Sequence, residues 1–318
     1  MTGKATDLVR SGVEARQAVV GSLRLFAPRI RIHPALLGPA VKPRVLSSPT
    51  ILIFDSGLGG LTVYREVATA RRDARFVYAA DDAVFPYGGM SEAALVTRVM
   101  AVMENLIAAY RPDLVVVACN TASTLVLPSL RARFAVPFVG TVPAVKPACA
   151  ASTTRLVSVL GTDATVAREY THALIRAFAA GCDVTLVGSA RLAALAESEL
   201  RGQPFADADI AAEIAPCFVD NGTARTDTIV LACTHYPLLI ERMRRLSPWP
   251  VDFLDPAPAI ARRVVELIGP PAEGKPGAPA RVIFTSGRPA SAALEASLAR
   301  FGLRQIAAER FDTPRVSA

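Results

Sequence analysis

The chain has 318 residues, 52% of them hydrophobic and 20% charged, which excludes a disordered protein and suggests about two domains with sizeable cores. Five cysteines in a chain of this length do not make a disulfide scaffold, so we interpret them as thiols and predict a cytoplasmic location. The continuous apolar runs are strand-sized and fall short of the ~18 residues that cross a bilayer, so we expect no membrane partner.

The positive charge is concentrated at the N-terminus. Residues 1–49 contain eight basic and two acidic residues, so they carry +6 of the net charge of +7. Five prolines and the absence of a clear periodicity predict that residues 1–48 form a flexible extension. Three alternatives stay open for it: a regulatory arm, an arm that binds a polyanion, and an organelle transit peptide.

From residue 50 onward, short apolar runs alternate with helical stretches. The runs are bounded by turn residues and read as buried strands. They are 50–55, 74–80, 113–119, 137–141, 154–161, 183–189, 227–233, 251–255 and 281–287. Strands that alternate with helices predict an α/β protein with mainly parallel sheets.

An internal repeat divides this α/β region. The run DLVVVAC at 113–119 aligns with DTIVLAC at 227–233 at a constant offset of 114 residues. Further along, FVGTVPAVKP at 138–147 is echoed by FLDPAPAIAR at 253–262. The repeat predicts two related halves, each with its own parallel sheet.

We therefore predict two pseudo-symmetric, doubly wound domains that face each other across a cleft. The first would comprise residues 49–145 together with 255–318, and the second residues 146–254. Ligands of open parallel sheets bind beyond the carboxyl ends of the strands. Cys119 and Cys233, which end the repeated strands, would then face one cleft.

The first strand leads into a glycine-rich turn, DSGLGGLTV, at 55–63. Such a turn suggests a dinucleotide loop, and Asp81 after the next strand resembles a ribose-binding acid. The spacing argues against this, because Thr62 occupies the place of the last glycine and Asp55 would stand beside a pyrophosphate. A close approach of the backbone to a small ligand fits better, with Ser56 and the N–H groups of 56–60 binding a carboxylate.

Cys119 and Cys233 each lie where a strand gives way to a helix. A lone buried cysteine is usually a small apolar side chain, but helix-terminal N–H groups at this position favour the thiolate. His235, two residues after Cys233, can exchange a proton with it. Zinc needs three or four ligands, and Cys233-x-His235 is the sole local pair, so we predict no metal.

Five motifs, in this order, carry a resemblance to a known family: IFDSGLGGLTV, FPYG, ACNTAS, GTVPAVKPA and ACTHYPLL. Together they resemble the glutamate racemases, the cofactor-independent enzymes of the aspartate/glutamate racemase superfamily. The resemblance covers about residues 50–290 and leaves the N-terminal extension out. This chain departs from the pattern at Ala232, where glycine is common, and at Met90, where a basic residue often follows the glycine.

Racemisation removes the Cα proton from one face of the substrate and returns a proton to the other. Pyridoxal phosphate would assist through a Schiff-base lysine. Two of the four lysines lie in the extension, and Lys146 and Lys275 each precede a proline, so we predict no cofactor. The alternative is a pair of acid/base groups on opposite faces, one a thiolate and one a thiol. Two cysteines from two facing halves meet that requirement.

The resemblance implies roles for individual residues. It implies that Cys119 deprotonates D-glutamate with help from Asp55, and that Cys233 deprotonates L-glutamate with help from His235. Glu197 resembles an acidic residue that orients the histidine. The positions that match substrate-binding residues are Asp55, Ser56, Tyr87, Gly88, Asn120, Thr121, Thr234 and His235.

The predicted function is a glutamate racemase, an isomerase that supplies D-glutamate for bacterial peptidoglycan. Two alternatives stay open. One is a racemase of the same superfamily for aspartate or another amino acid. The other is a protein that binds nucleic acid, or an enzyme such as DNA gyrase, through the basic extension. The sequence leaves open whether the chain forms a homodimer and whether an activator regulates it.

Overall fold

The computed structural model of the protein describes residues 45–274 and 277–308. The predicted extension lies outside the described residues except for its last four. The strands are β1 (Thr50–Asp55), β2 (Arg75–Ala80), β3 (Leu114–Val117), β4 (Phe138–Gly140), β5 (Leu156–Gly161), β6 (Asp183–Gly188), β7 (Thr228–Ala232), β8 (Asp252–Leu254), β9 (Arg281–Phe284) and β10 (Gln305–Ala308).

Helices connect these strands. They are α1 (Leu61–Ala70), α2 (Glu92–Tyr110), α3 (Asn120–Arg133), α4 (Val145–Ala151), α5 (Asp163–Val166), α6 (Glu169–Phe178), α7 (Leu192–Leu200), α8 (Asp207–Ile214), α9 (Ile240–Leu246), α10 (Ala257–Ile268) and α11 (Ala292–Arg300). The α/β class predicted from the alternation is therefore confirmed. Strand β10 was not predicted, because it is a short edge strand with partly exposed side chains.

The strands form two parallel sheets. The first has the order β10-β9-β2-β1-β3-β4 and the second the order β6-β5-β7-β8. In each sheet the chain reverses its winding direction beside one strand, β1 in the first and β5 in the second. The switch point therefore lies between β1 and β3 in the first sheet and between β5 and β7 in the second. These switch points are where open parallel sheets bind ligands.

Both faces of the first sheet are covered. Along β1, Ile51 and Ile53 pack into one apolar cluster, whereas Leu52 and Phe54 pack into the cluster on the opposite face. Each of these side chains is fully buried. Such burial contributes about 1.5–3 kcal/mol per side chain. Because both faces of β1 are buried, its residues are apolar without alternation, which explains the continuous apolar run in the sequence.

Helix α2 is long and apolar enough to cross a bilayer when only its length and composition are considered. In the fold, its apolar residues Leu95, Val99 and Val102 are buried in the same cluster as strand residues of the first sheet. Its Arg98 is buried too and pairs with Asp81. Helix α2 thus contributes to the core of the first sheet.

The two repeated aspartates have the same structural task. Asp113 Oδ2 accepts a hydrogen bond from Thr50 N at 2.8 Å, at the start of β1. Asp227 Oδ2 accepts one from Thr154 N at 2.9 Å, just before β5. Each aspartate fixes the beginning of the neighbouring strand, so the sequence repeat corresponds to a repeat of local structure. The predicted domain boundaries remain a prediction.

The described end of the N-terminal extension is attached to the first sheet and its helices. Leu46 N donates to Ile268 O at 3.1 Å, and Arg71 Nη2 donates to Leu46 O at 2.7 Å. Ser48 N donates to Asp73 Oδ2 at 3.1 Å. A segment held by three hydrogen bonds belongs to the fold, so the predicted extension of residues 1–48 is too long at its end, and residues 46–48 are part of the folded region.

Candidate active site

The two sulfur atoms that the repeat singled out lie at equivalent places. Cys119 follows β3 and caps the N-terminus of α3, and Cys233 follows β7 directly. Both side chains are buried, with 5% and 7% of their surface exposed. Each therefore stands at the carboxyl end of its strand, as predicted from the sequence, and the structure adds that both positions lie next to a switch point.

The carboxyl ends of the two sheets meet. Thr234, which follows β7, donates through Oγ1 to Asp55 Oδ1 at 3.1 Å, and Asp55 is the last residue of β1. Thr62 at the start of α1 donates to Thr234 O at 3.2 Å. The structure thus brings Asp55 and Thr234, two predicted site residues from different sheets, into direct contact.

One part of the site, which we call the Cys119 site, consists of Cys119, Asp55 and Ser56. Cys119 Sγ lies 3.6 Å from Ser56 Oγ. Burial raises the pKa of Cys119 to about 12, and the charges of Asp55 and then Cys233 act in the same direction. Burial also raises the pKa of Asp55, against the opposing charge of His235. Burial and the charges around it therefore favour the neutral thiol of Cys119.

The other part, the Cys233 site, consists of Cys233, His235 and Glu197. Cys233 Sγ lies 3.8 Å from His235 Nδ1, and His235 Nε2 lies 3.1 Å from Glu197 Oε1. Burial opposes the imidazolium, but contacts with Cys233 and Glu197 raise the pKa of His235 well above its usual value. Burial likewise opposes the Glu197 carboxylate, yet the hydrogen bond from His235 lowers its pKa overall. Glu197 thus lies where the resemblance placed it.

The glycine-rich turn, residues 56–60, binds two carboxylates, and both belong to the protein: Asp55 accepts from Gly57 N at 3.1 Å, and Glu197 accepts from Leu58 N. Leu58 N donates to Glu197 Oε1 at 2.6 Å, and Gly59 N lies 3.1 Å from His235 Nε2. The expectation that these N–H groups bind a ligand is wrong for Leu58 and Gly59, because side chains of the second half already occupy them. The turn instead orients the acid/base pair of the Cys233 site.

His235 Nε2 has two partners that need different protonation states. When Nε2 carries a proton, it donates to Glu197 Oε1 at 3.1 Å. When Nε2 is bare, it accepts from Gly59 N, also at 3.1 Å. Nε2 either donates or accepts at any one time. It therefore has a hydrogen-bond partner in both states, Glu197 when it is protonated and Gly59 N when it is not.

Glycine is required in this turn for steric reasons. A Cβ atom on Gly57 would lie 2.4 Å from Glu197 Oε1, and one on Gly59 would lie 2.4 Å from His235 Nδ1. Both distances are far shorter than real Cβ contacts. The glycines thus permit the close approach predicted for them, although the approaching group is the His235–Glu197 pair.

Tyr87 and Gly88 lie in a 3₁₀ turn, Tyr87–Gly89, that follows Pro86. The nearby Phe85 ring is 5.3 Å from the ring of His235, which places this segment beside the Cys233 site. The Tyr87 hydroxyl donates to Asp81 at 2.6 Å and is buried. Since its hydroxyl is used within the protein, Tyr87 can offer a substrate only its backbone.

Asn120 and Thr121 form the first turn of α3, directly after Cys119. Asn120 is buried, and neither of its side-chain amide atoms has a partner among the described residues. The Thr121 hydroxyl contacts those of Thr162 and Thr165 in the second half at 3.1 and 3.2 Å. Asn120 therefore holds unused hydrogen-bonding capacity beside a catalytic candidate, whereas the Thr121 side chain joins the two halves.

Two further residues near the site were missed by sequence reasoning. The Thr141 hydroxyl is buried just after β4 and, within residues 45–274 and 277–308, has no partner. Its signal was present, since Thr141 is the polar last residue of the predicted strand 137–141. Arg168 donates to Thr121 O at 2.7 Å from the other half, a contact without any sequence signal.

The described residues contain no group of three or more histidine, cysteine, aspartate or glutamate side chains arranged to hold a metal ion. The remaining cysteines lie apart from the site. Cys182 Sγ contacts Cys149 O at 3.5 Å near the start of β6, and Cys217 is buried in the core of the second sheet.

Comparison with known proteins decides the family. Residues 54–264 match the family described as Asp/Glu/Hydantoin racemase. The chain belongs to this family. A racemase is an isomerase, and the predicted enzyme class is thereby confirmed.

Curated and solved relatives point to one branch of the family. The chain is 56% identical to a glutamate racemase of Brucella ovis over 236 residues, which are 74% of this chain and 85% of the relative. A crystal structure of Escherichia coli glutamate racemase, in complex with L-glutamate and the activator UDP-MurNAc-Ala, has a TM-score of 0.76 and 38% identity. The match covers 83% of this chain and 98% of the Escherichia coli chain.

A glutamate racemase from Thermus thermophilus, solved with β-chloro-D-alanine, has a TM-score of 0.62 and 30% identity. It covers 83% of this chain and 96% of that chain. The predicted resemblance to glutamate racemases and the predicted fold of two facing parallel sheets are confirmed by these relatives.

Proposed function

We propose that this protein interconverts L- and D-glutamate without a cofactor, by proton transfer between Cys119 and Cys233. The observation that carries the proposal is the pair of buried cysteines at equivalent strand ends of two facing sheets, with Ser56 and the charge of Asp55 beside Cys119 and His235 beside Cys233. The glutamate racemases among the relatives support glutamate as the substrate. A thiol and a thiolate on opposite faces supply the base and the acid that racemisation needs.

The neighbours of the two thiols support one arrangement of protons in the free enzyme. Burial and the neighbouring carboxylate of Asp55 favour the neutral thiol of Cys119, whereas Cys233 can pass its proton to His235, whose Nδ1 lies 3.8 Å from Sγ. In this form Cys233 removes the Cα proton of L-glutamate while Cys119 delivers its own proton to the opposite face. The product is D-glutamate, and the enzyme is left with the proton on Cys233 and the charge on Cys119.

The predicted binding residues offer hydrogen-bond donors to the substrate, and none of them is an arginine. The candidates are the amide of Asn120, the hydroxyl of Ser56 and the backbone at Tyr87 and Gly88. Polar groups held in a buried site bind carboxylates well, because they need no reorganisation when the substrate enters. We assign this set to the two carboxylates of glutamate, with Asp55 and Thr234 joining the two halves around it.

We propose that the protein supplies D-glutamate as a building block for peptidoglycan. We place this reaction in the cytoplasm. This placement rests on the similarity to the bacterial glutamate racemases. It predicts that depletion of the protein causes a growth defect that external D-glutamate corrects.

The direct test follows optical activity. L-glutamate incubated with the purified protein, in EDTA and without pyridoxal phosphate, should lose its circular dichroism signal, and D-glutamate should lose its signal of opposite sign. In D₂O the product should carry one deuterium at Cα, which mass spectrometry detects even at low turnover. A stable signal and no deuterium in glutamate, with both changes seen in aspartate, would identify an aspartate racemase instead.

A further inference from the structure

A buried polar cluster lies beneath the turn that carries Tyr87. At its centre is Asp81, which follows β2 and is fully buried. Tyr87 donates its hydroxyl to Asp81 Oδ2 at 2.6 Å, and Thr285, which follows β9, donates its hydroxyl to Oδ1 at 2.6 Å. Arg98 of α2 donates to both oxygens, at 3.0 Å from Nε and 2.6 Å from Nη2.

This cluster is energetically consistent. A buried carboxylate is tolerated when it is paired and its lone pairs are filled, and Asp81 receives four hydrogen bonds from three side chains. Burial opposes the charge on Arg98, yet its hydrogen bond to Asp81 raises its pKa. Burial, together with the charge of Asp81, raises the pKa of Tyr87 well above its usual value. Tyr87 therefore remains a donor to Asp81.

A second set of hydrogen bonds holds the segment between Asp82 and Tyr87. Asp82 accepts hydrogen bonds from Ser286 N at 2.9 Å and from Ser286 Oγ at 2.6 Å. The chain between Asp82 and Tyr87 is therefore held at one end by Ser286, which follows β9, and at the other by Asp81, which follows β2. Gly88, the next residue, has open space where a Cβ would stand, so side-chain packing does not fix its place.

We infer that Asp81 and Arg98 are positioning residues that hold the Tyr87–Gly88 backbone for the substrate and so set the affinity for glutamate. The inference rests on the proposed function, because it takes the substrate to meet this turn. Asp81, which sequence reasoning compared with a ribose-binding acid, acts here through Tyr87. It touches neither the reacting atoms nor the two cysteines.

The chain contains a matched control for this pair. Arg71 and Asp73 also form a fully buried, two-pronged ion pair next to the first sheet, with Nε and Nη2 each 2.9 Å from a carboxylate oxygen. Their other partners are Leu46 O, Ser48 N and the end of α10. Breaking this pair should destabilise the same sheet without disturbing the Tyr87 turn.

The experiment compares Asp81→Asn, Tyr87→Phe, the double variant and Asp73→Asn in the full chain. In Asp81→Asn we expect the KM for glutamate to rise about tenfold with a smaller fall in kcat, because a displaced turn weakens binding before chemistry. Asp73→Asn should lower the melting temperature but leave KM unchanged. The double variant should have a KM no higher than the worse single variant, since Asp81 acts through Tyr87.

A readout without substrate completes the test. Amide hydrogen exchange across residues 84–90 should be faster in Asp81→Asn than in Asp73→Asn at equal distance below each melting temperature. Wild-type racemisation of glutamate is measured first, and its absence overturns the proposed function. Normal wild-type racemisation with an unchanged KM in Asp81→Asn, additive effects in the double variant, or unchanged exchange at 84–90 each overturns the inference alone.

Discussion

The two cysteines occupy equivalent places in the two sheets but have opposite neighbours. Cys119 lies 3.6 Å from Ser56 Oγ with the carboxyl group of Asp55 beside it. Cys233 lies 3.8 Å from the imidazole of His235, which Glu197 supports from behind. The repeat places both sulfurs in the same way, whereas residues outside the repeated strands determine the charge around each one.

The difference shows how one architecture supplies both an acid and a base. A neighbouring carboxylate favours the thiol, and a neighbouring imidazolium favours the thiolate. In the proposed mechanism the Cys119 site therefore supplies the proton to L-glutamate, and the Cys233 site receives one. A strictly symmetric pair would have no preferred starting state.

The overall equilibrium limits where this asymmetry can appear. L- and D-glutamate have equal free energies in water, so kcat/KM must be equal in the two directions. The unequal sites can change kcat and KM separately, and they can change partial reactions that use one base. The predictions below use such partial reactions to separate the two sites.

The largest effect is expected from removing either sulfur. Cys119→Ser and Cys233→Ser should each reduce racemisation by about 10³-fold or more, because each variant lacks the acid/base group on one face of the substrate. Each variant should still eliminate chloride from one enantiomer of a chlorinated glutamate, which needs one base. Cys119→Ser should prefer the L-analogue and Cys233→Ser the D-analogue. Equal preferences in the two variants would contradict the assignment of one base to each face.

Next come two neighbouring glycines that touch different sites. A Cβ on Gly59 would collide with His235, whereas one on Gly60 would lie 2.8 Å from Cβ of Asp55. We expect Gly59→Ala and Gly60→Ala each to slow racemisation about 10²-fold through misplacement of about 1 Å. With the chlorinated analogues, Gly59→Ala should impair elimination from the L-form and Gly60→Ala from the D-form. The same loss for both enantiomers in both variants would mean that the turn acts on the whole site.

A smaller effect should report the charge beside Cys119 directly. With a pKa of about 12, Cys119 should react slowly with iodoacetamide at pH 8. Asp55→Asn removes a charge that raises this pKa, so the alkylation of Cys119 should shift to lower pH. Peptide mass spectrometry after timed alkylation measures this rate. A rate for Cys119 that does not change in Asp55→Asn would exclude the carboxylate as its cause.

The smallest effect is expected from the basic N-terminal segment, which belongs to neither site. Deletion of residues 1–44 should leave the racemisation rate and the melting temperature nearly unchanged. Deletion of residues 1–48 also removes the hydrogen bonds of Leu46 and Ser48 and should lower the melting temperature. Retention on DNA across a salt series tests the alternative of a polyanion-binding arm, because loss of basic residues reduces the salt dependence.

Much of this arrangement could be predicted from the sequence, because buried parallel strands appear as short apolar runs and their carboxyl ends share an edge. Cys119 and Cys233 were found by this reasoning. The partners of the glycine-rich turn were not, since Leu58 meets Glu197 across 139 residues of sequence. The use of the Tyr87 hydroxyl by Asp81 was likewise hidden, because the sequence does not show whether a hydroxyl meets protein or substrate.

The glycine-rich turn also has a consequence for how such an enzyme can evolve. Gly57 and Gly59 have no room for a side chain, so any substitution there disturbs the His235–Glu197 pair before it alters the choice of substrate. Gly88 is different, because an added Cβ would meet no atom within 4 Å. Under the proposed function, a side chain added at Gly88 could change the contact with the substrate, whereas one added at Gly57 or Gly59 would first displace Glu197 or His235.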